Sequence, residues 1–369
     1  MTTITETAQL DSILSISITE SASIIHGSGV LFSSGLYVLT VAHLFDNYKR
    51  GQSIDIISAN GTVLNDAHVF VHHGWDSTST DFNNDVAIIE LASPAAAAGL
   101  SVWRADNYDA VPFTLTGFGN EGELHTGTNI FDGDGALFNI PSNRNVVPGT
   151  QVIYDYDNGL AQQNTSTGFF NVSSTLTPTA DETLAKPGDS GGALLVDNQI
   201  AAISSYIYRD QRYDVNTVVD SSAGEVGVAT QVSAYIPWIE YITQGNPTYA
   251  PPATASEVMM ALPEPFSGSV VNYFLLKMSA LSLDTVRLQY ETRDGTATAG
   301  SDYNYTQGWV ELMPSQTHIA IGVTVYGDTT PEIDESFSLV ITDPTGTWLD
   351  ANVELVASHT IINNDLFSV

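Results

Sequence analysis

Apolar residues along this chain fall in short runs rather than in long helical stripes. Runs rich in Val, Ile, Thr, Tyr and Phe recur at Tyr37–Val41, Val86–Leu91, Gln151–Tyr156 and Ala201–Tyr208, with Gly, Asn, Asp and Pro between them. Many short strands separated by turn residues predict barrels or sandwiches, an all-β chain. One segment has helical spacing: Val232–Ile242, with apolar residues at Val232, Tyr235, Ile236, Ile239 and Ile242. Pro237 is tolerated only near a helix start, which moves the expected first turn toward Ala234. Three prolines in Gln244–Ala255 then forbid a continued helix and read as a linker. The expected organisation is a domain over 1–245, a Pro-rich linker over 246–257 and a second strand-rich domain over 258–369.

Composition narrows the function classes. The 369 residues carry 10 Lys and Arg against 42 Asp and Glu, a net charge of −32. Both halves are acidic, so neither offers a basic face to phosphate, and nucleic acid is excluded as a partner. The acidity serves solubility first, and a few carboxylates suit calcium, a hard cation that takes oxygen ligands. With no cysteine in the chain, structural disulfides and thiolate zinc sites are excluded. No run of 18 apolar residues occurs, so no membrane-spanning helix is expected. Met1–Glu20 lacks the basic and apolar regions of a signal peptide.

Three segments carry chemistry. Tyr37-Val-Leu-Thr-Val-Ala-His43 delivers a histidine at the end of a strand-like run. Asn84-Asp85 places an acid just before the apolar run to Leu91. Lys186-Pro-Gly-Asp-Ser-Gly-Gly192 sets Ser190 among glycines that let the backbone turn sharply. A serine hydroxyl needs a base within hydrogen-bond reach to become a nucleophile. Histidine titrates near neutrality, and a buried carboxylate fixes its tautomer. The N–H groups of Gly188 and Ser190 can hold a developing oxyanion. The order His43, Asp85, Ser190 is the chymotrypsin order rather than that of subtilisins or α/β-hydrolases.

These motifs resemble the signatures of trypsin-like serine proteases. The resemblance extends over about residues 20–245, through His26-Gly-Ser-Gly-Val-Leu-Phe32, Thr116-Gly-Phe-Gly119, Ala202-Ile-Ser-Ser-Tyr206, Gly227–Val232 and Tyr235-Ile-Pro-Trp-Ile239. It implies two six-stranded β-barrels of the chymotrypsin type with a C-terminal helix, and secreted proteolysis of a protein or peptide substrate. It also implies a catalytic triad of His43, Asp85 and Ser190, and substrate pairing along Ser205, Tyr206 and Ile207. Leu184 falls at the pocket floor where an aspartate would select Lys or Arg, and Gly227 at the pocket wall. That set implies a shallow apolar pocket for uncharged side chains, the alternative being that Leu184 is core. Many family members pair a freed N-terminal amine with the aspartate before the nucleophile, here Asp189. No matching Ile-Val-Gly-Gly-like tetrapeptide stands in residues 1–25, so Asp189 is left to a differently processed N-terminus or a side chain.

Other polar clusters have plainer explanations. His72 and His73 read as surface loop histidines before metal ligands. Asp132, Asp134, Asp155 and Asp157 sit on turn-like stretches where turn chemistry comes first, with calcium the alternative.

Beyond residue 258 the strings Asp294-Gly-Thr-Ala-Thr-Ala-Gly-Ser-Asp-Tyr303 and Pro331-Glu-Ile-Asp-Glu-Ser-Phe337 accompany alternating strands. They predict a β-sandwich with acidic loops. They are similar to the Calx-beta family, which implies calcium bound between loops at one end, here by Asp302, Asp328, Glu332, Glu335 and Asp365. That module would stabilise the enzyme, dock it on a surface or act as a spacer. Two competing readings are a non-catalytic or zymogen-like protease fold serving calcium-dependent adhesion, and an esterase using the same triad.

Overall fold

The computed structural model describes residues 10–20, 23–49, 52–105, 107–142, 144–172, 181–244, 252–257, 261–265, 267–278, 282, 284–312, 316, 318–329 and 331–363. The chain divides into two compact units, one of residues 1–146 with 150–236 and the other of 147–149 with 237–369.

The first unit holds two barrel-like antiparallel sheets. The first runs Val63–Leu64, Ile54–Ser58, Ile13–Thr19, Ile24–Phe32, Tyr37–Thr40, Ala87–Leu91, Asp66–Val71. The second runs Gly133–Asp134, Gln151–Asp155, Glu225–Gln231, Gln199–Arg209, Ala193–Val196, Pro112–Gly117, His125–Ile130. Each has the six strands expected plus a two-residue strand at one edge. Alternation builds them: along Ile13–Thr19 the residues Leu14, Ile16 and Ile18 are buried on one face, while Ser15, Ser17 and Thr19 turn outward. Where strands close on one another, glycine is required: a Cβ on Gly29 would lie 2.6 Å from a Val38 methyl. The second sheet closes on an aromatic core in which Phe113 stacks on Phe131 at 4.2 Å and meets Tyr154 edge-on at 4.9 Å.

The expected helix splits in two. Val232–Tyr235 is a 3₁₀ turn and Ile236–Gln244 an α-helix. Pro237 falls in the first turn, where its missing N–H costs no helical hydrogen bond.

The linker expectation is corrected in part. Residues 245–251 lie outside the described residues, but Pro252–Glu257 is a strand paired with Gly268–Met278. It is an edge strand of its sheet, the position that tolerates proline because one side donates no ladder hydrogen bond.

The second unit is a β-sandwich. Its smaller sheet orders Pro252–Glu257, Gly268–Met278, His318–Gly327. The larger orders Ala261–Pro263, Glu354–Ile362, Glu335–Thr342, Val286–Asp294, Gln307–Leu312. The inner faces bury Phe274, Leu276, Leu288, Val323, Phe337 and Leu339 in one core. Tyr303 stacks on Phe337 at 4.3 Å, an aromatic pair contributing about 0.5–1.5 kcal/mol beyond its buried area.

Candidate active site

The strand Tyr37–Thr40 leads into a 3₁₀ turn, Ala42–Phe45, that carries His43. Asp85 stands just before Ala87–Leu91, the neighbour of Tyr37–Thr40 in the first sheet. Phe82 and Asn84 take left-handed backbone, with φ of 54° and 62°. Asn tolerates this conformation and Phe does not readily. The loop thereby turns Asp85 inward, and its carboxylate is fully buried. Three donors satisfy that carboxylate. The His43 N–H reaches Oδ1 at 2.9 Å, His43 Nδ1 reaches Oδ2 at 2.8 Å, and the Ser205 hydroxyl reaches Oδ2 at 2.5 Å. Ser205 can do this because the pairing of Gln199–Arg209 with Glu225–Gln231 shifts register between Ser204 and Tyr206. Such a bulge re-aims a side chain.

On the other side of the imidazole, His43 Nε2 lies 3.0 Å from Ser190 Oγ. Burial pulls the His43 pKa down, but the Asp85 charge and hydrogen bond and the charge of Asp46 outweigh it, leaving it raised above 6.5. Phe82 meets the imidazole edge-on at 6.2 Å and the Tyr206 ring at 4.6 Å, forming an apolar wall beside the histidine.

The serine loop is held from both sheets. The Ser28 N–H donates to Ser190 O at 2.7 Å, and the Ser28 hydroxyl to Gly188 O at 3.0 Å. Gly191, with φ of 85°, lies so close to Ser28 O and Thr40 Oγ1 that a Cβ would meet each at 2.2 Å. Asn120 N–H donates to Pro187 O at 2.9 Å. In a trans, planar peptide the N–H points opposite to the preceding C=O. The Gly188 N–H is therefore directed away from Asn120. Gly188 has φ of 94°, and a Cβ there would lie 2.3 Å from Asn120 N. Ser28 belongs to the His26–Phe32 string, and nothing in that string marks it for this role.

A cleft of about 150 Å³ opens beside Ser190, lined by Ala185, Lys186, Pro187, Ser204, Ser205, Tyr206, Ile207 and Val219. Ser205, Tyr206 and Ile207, the residues singled out for substrate pairing, are among this lining. Leu184 and Gly227 do not line it. Leu184 is buried with Tyr108, Phe113 and Tyr154 in the core of the second sheet, so the core alternative describes it. Gly227 faces Tyr154, whose Cζ would lie 2.2 Å from a Cβ there. Its lack of a side chain admits that ring.

Two histidine and aspartate expectations change. His72 is buried rather than exposed, its ring 5.3 Å edge-on from Tyr235 and 4.5 Å from His73. Asp134 does cap a turn through Ala136 N–H at 2.7 Å. Asp155 and Asp157 are instead buried, with Asp132 half-buried beside Asp155. The Ser166 hydroxyl donates to Asp132 at 2.7 Å and the Ser166 N–H to Asp155 at 2.9 Å. Burial, then the Asp155 charge, holds the Asp132 carboxyl well above the ordinary range. Burial, with the charges of Asp155 and Glu182, pushes Asp157 up to about 7.

In the sandwich, carboxylate oxygens of Asp302, Glu332 and Glu335 lie within 4.8 Å of one another. Burial, then the charges of Asp302, Glu332 and Glu264, raises the Glu335 carboxyl. Glu264, which carries no motif, is buried and accepts the Asp328 N–H at 2.9 Å. Asp328 is not among the three clustered acids, and Asp365 lies outside the described residues.

Two family models match the chain. The trypsin family model covers residues 5–239 and the Calx-beta domain model residues 267–365. Over 54 residues, 15% of this chain, it is 44% identical to sodium/calcium exchanger 1 of Canis lupus familiaris, of which the match spans 6%. Among solved structures, the secreted serine protease VesC from Vibrio cholerae aligns over 96% of this chain and 69% of its own, at 16% identity and a TM-score of 0.43. Neuropsin, a serine protease of mouse brain, aligns over 64% of this chain and 96% of its own, at 15% identity and a TM-score of 0.47. With a family model spanning more than half of its length, this chain belongs to the trypsin family of serine endopeptidases and carries a Calx-beta domain behind its protease domain.

Proposed function

We propose that Ser190, His43 and Asp85 form the working catalytic triad of this endopeptidase. The observation that carries the reading is the continuous chain from Ser205 through Asp85 and His43 to the Ser190 hydroxyl, with links of 2.5, 2.8 and 3.0 Å. With Nδ1–H donated to Asp85, His43 Nε2 is left to accept the Ser190 proton as Oγ attacks the scissile carbonyl. Proton return to the leaving amine yields the acyl-enzyme, which water then hydrolyses by the same path. The Gly188 and Ser190 N–H groups stabilise the oxyanion. Such donors contribute because they are fixed before charge develops.

The reading includes a preference for small or medium uncharged residues on the acyl side of the cut. Among the residues lining the cleft, Ala185, Ile207 and Val219 are apolar and Lys186 is the one that is charged. A substrate Lys or Arg would meet no carboxylate from that set. Peptide anilides with Ala, Val or Leu at that position are expected to be cleaved with kcat/KM greater than Arg and Lys analogues, by a factor on the order of 10². Equal or better cleavage of the Arg substrate would overturn the preference. Hydrolysis of small esters with no peptide cleaved would favour the esterase reading.

Calcium binding by the second unit belongs to the same proposal. Three clustered carboxylates are the hard oxygen donors this cation takes. Burial first, and then the like charges of Asp302, Glu332 and Glu264, raise the Glu335 carboxyl, and a divalent cation would relieve the charge part of that. Asp302, Glu332 and Glu335 would hold it, with Asp328 and Asp365 entering through the family resemblance. Bound calcium would supply structural stabilisation, not chemistry at Ser190.

A further inference from the structure

Asp189, next to the nucleophile, is fully buried. A buried carboxylate is costly unless donors surround it, and most favourably when one can carry positive charge. Three donors of this chain do so. Gly119 N–H reaches Oδ1 at 2.9 Å, Lys186 N–H reaches Oδ2 at 2.7 Å, and His125 Nε2 lies 2.9 Å from Oδ2.

Each donor comes from a segment whose placement is set by packing. His125 begins the strand His125–Ile130 and stands opposite Gly117 in the register of Pro112–Gly117. Gly117 brings its backbone so close that a Cβ would lie 2.2 Å from Asp189 Oδ1. Gly119, with φ of 57°, turns its N–H onto the carboxylate. Oδ1 is therefore closed in by Gly117 and Gly119, and Oδ2 by Lys186 and His125. An amine arriving from the start of the chain would have to displace one of them.

The carboxylate in turn fixes the loop. Asp189 N–H donates to Lys186 O at 2.9 Å, and Gly192 N–H to Asp189 O at 2.7 Å. These two bonds and those to the side chain set the course of the backbone from Lys186 to Gly192, and with it the direction of the Gly188 and Ser190 N–H groups.

We propose that His125 is the positioning residue that anchors Asp189 and so holds the 186–192 loop ready for the oxyanion, replacing from within the second sheet an N-terminal amine. The kinetic consequence rests on the triad reading; the structural one does not. His125 is partly accessible, with 23% of its side chain exposed, so added imidazole can reach the space a truncation leaves.

The test compares wild type, His125→Ala and His125→Gln by two readouts. The first is kinetic. In His125→Ala, kcat is expected to fall on the order of 10²-fold, the scale of losing one oxyanion donor, with KM nearly unchanged. Imidazole should restore part of it, and His125→Gln, which keeps an N–H donor, should lie between. The second is hydrogen exchange of the amides from Lys186 to Gly192, which should quicken in His125→Ala and less so in His125→Gln, with strand amides of the first sheet unchanged. Acetylating the α-amino group of wild type should leave kcat as it was.

Unchanged exchange in the loop would overturn the inference, as would loss of kcat on acetylation. Global loss of protection with no rescue by imidazole or glutamine would also overturn it, showing a merely structural histidine. A wild type that cleaves nothing, yet whose loop loosens in His125→Ala, would sink the protease reading and leave this one standing.

Discussion

Asp85 and Asp189 in the protease unit and the acids of the sandwich are two ways of placing carboxylates, the first pair out of water and the second group half-exposed. Asp85 and Asp189 are each fully buried and each meets three donors from the chain itself. In the sandwich, Asp302, Glu332 and Glu335 gather oxygens within 4.8 Å of one another, and burial with like charge raises the Glu335 carboxyl. The first arrangement is electrostatically complete with the chain's own groups. The second concentrates like charges that repel, which is what a cation-binding site requires. Reactivity in the protease unit should therefore depend on single side chains, and stability in the sandwich on an added ion.

The largest effect that would break this contrast is at Asp85. Asp85→Asn keeps the shape but can hold His43 in the wrong tautomer, and kcat is expected to fall on the order of 10⁴-fold, the scale of the equivalent change in the trypsin triad. A loss below about tenfold would mean that Asp85 does not orient the base.

A smaller effect is expected from calcium. If the cation binds the folded sandwich alone, calcium at about a hundred times its Kd adds about 2.7 kcal/mol to folding. Scanning calorimetry should show the sandwich melting higher with calcium and lower with chelator. Glu335→Gln should blunt the difference. An unchanged melting temperature in wild type would remove calcium from the account.

The smallest effect is a pH dependence of stability in the protease unit. Burial raises Asp157 to about 7, so the folded state keeps its proton more tightly than the unfolded chain. That contribution is full below about 3.8 and is lost as pH rises toward about 7. Asp157→Asn should raise the melting temperature at about pH 8, by roughly 2–4 °C for each kcal/mol recovered, and change it little at about pH 4. Burial lowers His359 in the sandwich to about 4. Its contribution is full above about 6.5 and lost as pH falls toward about 4, the opposite sign.

Much of this was legible before the fold was known, because strand alternation and glycine-rich turns are local signals. His43, Asp85 and Ser190 announce themselves by the residues next to them, and the fold brings them within hydrogen-bond reach. His125 has no such signature. It sits 64 positions from Asp189, and only the pairing of Pro112–Gly117 with His125–Ile130 sets it against that carboxylate. Leu184 shows the converse: counting back from Ser190 left it either at the pocket floor or in the core, and the fold buries it in the core and gives Ala185 to the cleft. Pro252–Glu257 looked like linker because proline is rare in strands, yet an edge position accommodates it. Glu264 is likewise an isolated acid whose proximity to Glu335 is made by the sheet and not by spacing.

Everything proposed for the protease unit turns on whether Ser190 is an activated nucleophile in the protein as it folds. Titration with a fluorophosphonate probe across pH, followed by peptide mapping, tests this most directly. Label is expected on Ser190 alone, with none in Ser190→Ala. The rate should fall as pH drops through a His43 pKa above the ordinary 6.5, because the base works only when neutral. Label absent from wild type, or present equally in Ser190→Ala, would contradict an activated Ser190.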